Sequence, residues 1–251
     1  MALYAIGDLH LSLAVNKSME VFGPAWENYV SRIESSLSQL TAEDVLILAG
    51  DTSWGMSMAE AEADFRFLEQ FPCKKILLKG NHDYWWSTVS KMSAFFAEKG
   101  FTTFEFLHNN CQFYGEHALC GTRGWFFEED QKPHNAKVLN REVGRLETSL
   151  KAAEGKPIWC FLHYPPLYQG YQCREILEML EKYSVEQCCY GHLHGPVIRR
   201  RIEGTRGNTA FSLISADYLG FVPKKFVIKR KKAGNFKIFL VKYQFAPAFD
   251  W

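Results

Sequence analysis

The chain is predicted to fold as an α/β domain, because short apolar runs ending in polar loops recur along it, with helically spaced apolar segments between them. The runs are LYAIG at 3–7, VLILAG at 45–50, KILLKG at 75–80, IWCFLH at 158–163 and EQCCYG at 186–191. Each has the length of a buried strand and stops at Gly or His. Helices are expected over 25–40, 58–71, 86–99, 136–153 and 172–183, where apolar residues return every three or four positions. After Gly195 the texture changes to VIRRRI, TAFSLIS, KFVIK and FKIFLVKY, broken by Gly and Asn, which predicts antiparallel β structure and a second sheet. No repeat, low-complexity tract or Pro/Ser linker marks a boundary, so residues 1–251 are read as a single domain.

The bulk properties narrow the function classes. With 251 residues, 47% hydrophobic and 23% charged, the chain is long and apolar enough to bury a core around an enzyme site. No segment approaches the roughly 18 apolar residues of a membrane span. The opening MALYAIGDLH lacks a basic region followed by a long apolar run, so no membrane span and a cytoplasmic location are expected. A net charge of +1 gives no general attraction to nucleic acid. The seven cysteines are scattered without a C-x-x-C pair and are read as reduced thiols, Cys160 and Cys188 serving as small hydrophobes in apolar runs. Nothing in the pattern fixes an oligomeric state.

The polar groups that close the strands carry the chemistry: Gly7-Asp8-Leu9-His10, Gly50-Asp51, Gly80-Asn81-His82-Asp83, His163 and Gly191-His192-Leu193-His194. In open α/β sheets ligands bind beyond the carboxyl ends of the strands, and all five groups fall at that point of five successive strands. Asp8 and His10 are two apart, where period-two geometry sends both side chains one way, and His192 and His194 repeat the device. Carboxylate and imidazole donors together suit Mn, Fe or Zn better than Mg or Ca. Two ions about 3.5–4 Å apart need a bridging carboxylate, for which Asp51 is available. The glycines that open four of the groups, Gly7, Gly50, Gly80 and Gly191, fit sharp turns and close backbone approach. Taken singly, Gly-Asp reads as a turn, His163 as a core residue and Asn-His-Asp as a helix cap; taken in this order they read as a metal site.

The run G-D-x-H, G-D, G-N-H-D, H, G-H-x-H resembles the signature of calcineurin-like metallophosphoesterases and spans residues 7–195. The resemblance implies a four-layer αββα sandwich. It implies that Asp8, His10, Asp51 and His194 hold one metal ion and Asp51, Asn81, His163 and His192 a second, both divalent or trivalent. It further implies that His82 contacts the scissile phosphate and protonates the leaving oxygen, that Asp83 orients His82, and that a metal-bridging hydroxide attacks phosphorus. One departure follows the first motif: the family pattern continues with Gly, whereas this chain has Leu11-Ser12, which bears on the pocket rim.

Residues beyond the motifs bear on substrate choice. Arg123, in Gly121-Thr122-Arg123-Gly124-Trp125 ahead of the polar loop FFEEDQKPHN, is a candidate phosphate clamp or a structural Arg paired with Glu128 or Glu129. Trp54, Tyr84, Trp85 and Trp86 follow metal motifs and either stack on a base or sugar or fill space under loops. Arg199, Arg200, Arg201, Lys224, Lys225, Lys229, Arg230, Lys231 and Lys232 make either a solvated, edge-guarding face or a docking surface for an anionic substrate or lipid headgroup. His108, His117 and His134 lie outside every motif and receive no metal role. The expected function is hydrolysis of a phosphomonoester or phosphodiester on a small phosphorylated substrate. The alternative is an inactive scaffold or a nucleotide-sensing protein of the same fold.

Overall fold

The computed structural model describes residues 1–126 and 132–226. In chain order the strands are β1 (Leu3–Ile6), β2 (Val45–Ala49), β3 (Lys74–Leu78), β4 (Phe104–Phe106), β5 (Gln112–Tyr114), β6 (His117–Thr122), β7 (Ile158–Leu162), β8 (Leu167–Tyr168), β9 (Tyr171–Gln172), β10 (Gln187–Tyr190), β11 (Gly204–Arg206), β12 (Thr209–Leu213) and β13 (Lys224–Phe226). The helices are α1 (Tyr29–Leu37), α2 (Met58–Glu69), α3 (Val89–Lys99), α4 (Lys132–Lys151) and α5 (Arg174–Lys182).

Two mixed sheets are stacked face to face. The first has the order β13-β1-β2-β3-β4 and the second β11-β12-β10-β7-β6-β5; β8 and β9 form a small separate hairpin. Each large sheet is parallel at its centre, β1 to β4 in one and β12-β10-β7-β6 in the other. Antiparallel strands close β1 and the flanks of the second sheet.

The period of two explains why these runs read as continuous apolar stretches. Leu3, Ala5, Ile47, Ile76 and Leu78 face Leu119, Phe161, Cys189 and Ile214 of the other sheet, while their neighbours Ile6, Leu46, Leu48 and Leu77 face the opposite way, onto Ile33, Phe65, Met92 and Phe96 of α1, α2 and α3. On the far side Leu146 and Leu150 of α4 and Ile176 and Leu180 of α5 cover the second sheet. Burying one such side chain contributes about 1.5–3 kcal/mol. The layers are αββα, as the resemblance implies.

Three sequence expectations change here. VIRRRI is not a strand: Gly195–Arg200 forms a 3-10 turn, with Pro196 at the position where its fixed φ fits. The described part of the last quarter does not build a sheet of its own; β11 and β12 join the second sheet and β13 pairs with β1 of the first. The motif-bearing strands are not successive, since β4, β5 and β6 intervene, and they divide between the sheets as β1, β2, β3 and β7, β10. FKIFLVKY and Lys229 to Lys232 lie outside the described residues.

The two sheets meet at the carboxyl ends of their strands. The Gly7 N–H donates to the Ile214 carbonyl at 2.7 Å and the Ala216 N–H to the Gly7 carbonyl at 3.0 Å. Those bonds fix the end of β1 beside the end of β12, so loops from both sheets open on one edge.

Candidate metal centre

The ligand candidates are brought together by left-handed backbone, not by the pleat of a strand. β1 ends at Ile6, and Asp8 (φ 61°), His10 (φ 47°), Asp51 (φ 50°) and His192 (φ 71°) all adopt positive φ. This corrects the period-two reading: the turn after each strand, not strand alternation, converges the side chains. Left-handed backbone in non-glycine residues costs roughly 1–3 kcal/mol each and persists where the surroundings over-determine it. Close packing does so here. A Cβ on Gly80 would lie 2.1 Å from Asp51 Oδ1, and one on Gly191 would lie 2.5 Å from Asp8 Oδ2, so neither position admits a side chain.

Two groups of donors result. Ligand atoms of Asp8, His10 and His194 lie within 4.8 Å of one another, as do those of Asp51, His163 and His192. In the first group His10 Nε2 stands 3.3 Å from His194 Nε2, which is itself 3.3 Å from Asp8 Oδ1. In the second, His163 Nε2 stands 2.6 Å from Asn81 Oδ1 and 3.5 Å from Asp51 Oδ2. Asp51 Oδ2 is also 3.7 Å from His10 Nε2, which puts one carboxylate oxygen between the groups.

This donor set fits a pair of cations. Asp51 Oδ2, which faces His10 Nε2 and His163 Nε2, is buried without a hydrogen-bond partner among the described residues, and buried polar atoms rarely stay so without an ion or a partner. Burial and the Asp8 charge push Asp51 up to about 8. Burial holds His192 down at about 3, with His163 pressing the same way, and takes His10 well below its ordinary value, with His194 adding to it. Burial opposes the charged forms of Asp8 and His194 as well, yet their mutual attraction lowers Asp8, and Asp8 with Asp217 raises His194 to about 10. Crowded carboxylates and imidazoles that resist ionising side by side are the groups a cation would satisfy.

Three polar residues of the surroundings have defined partners. Asp217 Oδ1 lies 3.3 Å from His194 Nδ1, and Asp217 Oδ2 accepts from the Gly195 N–H at 2.8 Å. Sequence reading missed Asp217, although it follows the apolar run TAFSLIS just as the other site residues follow theirs. Asp83 is buried, and its oxygens accept from the backbone N–H of Asp51 (2.9 Å), Thr52 (2.9 Å) and Gly80 (2.7 Å) and from Trp85 Nε1 (2.9 Å). None of its hydrogen bonds or ion pairs among the described residues reaches the His82 ring; Asp83 bears on His82 through the loop that carries it. The ring nitrogen Nδ1 of His82 instead meets the Tyr84 hydroxyl at 3.4 Å. Asp83 ties the β2 loop to the β3 loop; burial and the Asp51 charge raise it to about 6.

The aromatic residues divide. Trp85 and Trp86 are buried in the core and do not present a stacking face. Trp54 forms a wall of the site, its ring 4.8 Å from His10 and 4.6 Å from His82, and Tyr84 is half exposed beside His82. The departure at Leu11-Ser12 is structural: Leu11 is fully buried and bridges to Ser53, while Ser12 Oγ meets the Tyr29 hydroxyl at 3.2 Å.

Arg123 follows β6, beside the metal-site strand β7. It pairs with Glu142 of α4, Nη2 to Oε1 at 3.6 Å, and lies over the Trp125 ring at 5.0 Å. Glu128 and Glu129, its expected structural partners, lie outside the described residues. The basic region is dispersed: Arg201, at the end of the 3-10 turn, pairs with Glu203 at 3.0 Å, and Lys224, on β13, donates to Ser212 Oγ at 2.8 Å. All seven cysteines are free thiols. No helix among the described residues is long and apolar enough to cross a membrane.

Comparison with known proteins agrees with this geometry. A family model described as Calcineurin-like phosphoesterase matches residues 1–196. The crystal structure of AQ665 from Aquifex aeolicus, a protein of unknown function, is similar in fold at 16% identity and a TM-score of 0.50, covering 89% of this chain and 95% of that one. TT1561 of Thermus thermophilus is 14% identical with a TM-score of 0.47, over 77% of this chain and 82% of that one. No curated protein matches the chain significantly.

Proposed function

This chain belongs to the calcineurin-like phosphoesterase family, and from that premise we propose that it hydrolyses a phosphomonoester or phosphodiester of a small phosphorylated substrate. In this reading Asp8, His10, Asp51 and His194 hold one ion, and Asp51, Asn81, His163 and His192 the other, from among Mn, Fe and Zn. The observation that carries it is Asp51 Oδ2, buried without a hydrogen-bond donor among the described residues and flanked by His10 at 3.7 Å and His163 at 3.5 Å. A bound cation pair supplies Lewis acidity, lowering the pKa of water towards neutrality and neutralising phosphoryl oxygens.

The protein's own residues then orient and protonate. Burial holds His82 at about 4, with His163 and His194 pushing the same way, so its imidazole is neutral near pH 7. With the Tyr84 hydroxyl at Nδ1, Nε2 is the nitrogen left to hydrogen-bond the leaving oxygen, and it delivers a proton there as imidazolium, the form that an adjoining phosphoryl anion favours. Asp83 holds the loop that carries His82 by its hydrogen bonds to three backbone N–H groups. Trp54 covers one side of both rings and limits water around them. Arg123 contributes positive charge towards phosphate from the edge of the site. The free thiols fit a reducing, cytoplasmic setting.

Hydrolysis of p-nitrophenyl phosphate and bis-p-nitrophenyl phosphate by metal-stripped protein, with and without added Mn²⁺, tests the reading. Mn²⁺-dependent turnover of one of them supports a phosphoesterase and separates monoesterase from diesterase action. Ion binding without turnover of either would favour the scaffold or nucleotide-sensing reading.

A further inference from the structure

A second cluster of charge stands beside the metal centre. Lys79 directly follows β3 and precedes Gly80-Asn81, so its Cα is two steps, at most about 7 Å, from a proposed metal ligand. Opposite it, β6 ends at Thr122, and Arg123 follows. The two strand ends abut: a Cβ on Gly121 would meet the Leu78 side chain at 3.1 Å. Glu142 on α4 is fully buried and accepts from Thr122 Oγ1 at 2.7 Å and Arg145 Nη1 at 2.6 Å, with Arg123 Nη2 at 3.6 Å. Lys79 lies within electrostatic reach of Arg123, Arg145 and Glu142, and His108 is in reach of Lys79, Arg145 and Glu142.

Among the described residues the charges do not balance. Lys79, Arg123 and Arg145 carry three positive charges around the single carboxylate of Glu142, because Asp83, the other acid near Lys79, is committed to backbone N–H groups. Lys79 has no hydrogen bond or ion pair among the described residues. Arg123 Nε and the Trp86 indole N–H, whose ring lies 6.1 Å from His108, are buried donors without an acceptor among them. Buried N–H groups of this kind are ordinarily matched by an acceptor, and three half-buried cations drawn together at one place favour an anion there. The Arg123 and Arg145 guanidiniums suit phosphoryl oxygens by their planar fork, and Lys79 adds a mobile ammonium.

We propose that Lys79, Arg123 and Arg145 form a second anion subsite, which takes a phosphoryl group of the substrate other than the one hydrolysed. This rests on the phosphoesterase reading and narrows its substrate class to small molecules bearing two phosphoryl groups, as a diphosphate or as a bisphosphate. Glu142 Oε1 gathers the two guanidiniums side by side and fixes their aim. Arg123 is thereby assigned to the neighbouring phosphate, not to the scissile one.

The test compares Mn²⁺-loaded wild type with Lys79→Met and Arg123→Gln. Phosphate release is measured from adenosine monophosphate, adenosine diphosphate and adenosine bisphosphate, and pyrophosphate and phosphate binding are measured by calorimetry. The expected result is a wild-type kcat/KM about 10- to 100-fold higher on one of the doubly phosphorylated nucleotides than on the monophosphate, with that ratio collapsing in both variants through KM. Which of the two is preferred tells whether the phosphoryl groups are linked or separate. Equal losses on all three nucleotides, or no wild-type preference, would overturn the subsite. If no nucleotide is hydrolysed, the failure belongs to the phosphoesterase reading, and the calorimetry still decides. Pyrophosphate binding at least tenfold tighter than phosphate in wild type and weakened in Lys79→Met upholds the subsite, and binding insensitive to Lys79 refutes it. Should Arg123→Gln fold poorly, Lys79→Met, whose side chain has no described partner to lose, carries the comparison alone.

Discussion

Asp217 Oδ1 lies 3.3 Å from His194 Nδ1, so a carboxylate sits on the far ring nitrogen of a candidate metal ligand. Such a partner fixes the tautomer and raises the basicity of the coordinating nitrogen. The Asp217→Ala variant is expected to bind Mn²⁺ about 10- to 100-fold more weakly, read from the Mn²⁺ dependence of activity. An unchanged midpoint would confine Asp217 to holding the Gly195 turn.

Asp83 gathers N–H groups from Asp51, Thr52 and Gly80 together with Trp85 Nε1. Asp83→Ala leaves these buried donors unmatched and is expected to destabilise the fold by about 3 kcal/mol or more, measured by urea unfolding. A loss under about 1 kcal/mol would show that the loops are held by something else.

His82→Ala should retain metal. Its activity should fall further on esters with poor leaving groups than on activated nitrophenyl esters, because only the former need a proton delivered to the departing oxygen. Tyr84→Phe should show the same pattern more weakly, since its hydroxyl meets Nδ1 of that ring. Equal losses on both kinds of ester would remove His82 from the leaving group.

Glu69 accepts from the backbone N–H of Thr102 at 2.7 Å and of Thr103 at 3.3 Å, and from both hydroxyls, tying the end of α2 to the segment before β4. Although burial works against the charge, these hydrogen bonds hold the carboxyl below its ordinary value. The stabilisation is therefore complete above the unfolded glutamate value of about 4.3 and is lost as pH falls through the folded one. Thermal unfolding of wild type and Glu69→Gln should differ at pH 7 and converge towards pH 3; a gap that widens on acidification would contradict this sign.

Much of the site was legible in the sequence because chemistry and position coincide there: Asp and His are poor material for a buried strand end unless something binds them. The strands were legible because both faces are buried, making VLILA and IWCFL continuous apolar runs. The means of convergence was not legible, since positive φ at Asp8 and His10 belongs to residues whose identity does not announce it. Asp217 escaped notice because a lone Asp in SADYLG looks like a turn until the chain returns it to His194. The hydrogen bonds of Asp83 were not legible for a related reason: two of its donors come from a loop about thirty positions earlier. VIRRRI failed as a strand because alternation over six residues is weak evidence against a Pro that starts a turn.

The central claim is that Asp51 joins two ions in one site. Metal content per chain, measured by mass spectrometry after reconstitution with Mn²⁺ and removal of free ion, tests it most directly. The account predicts two ions per chain in wild type and one or none in Asp51→Asn, with folding intact by circular dichroism. Two tightly held ions in the mutant, or only one in the wild type, would contradict it.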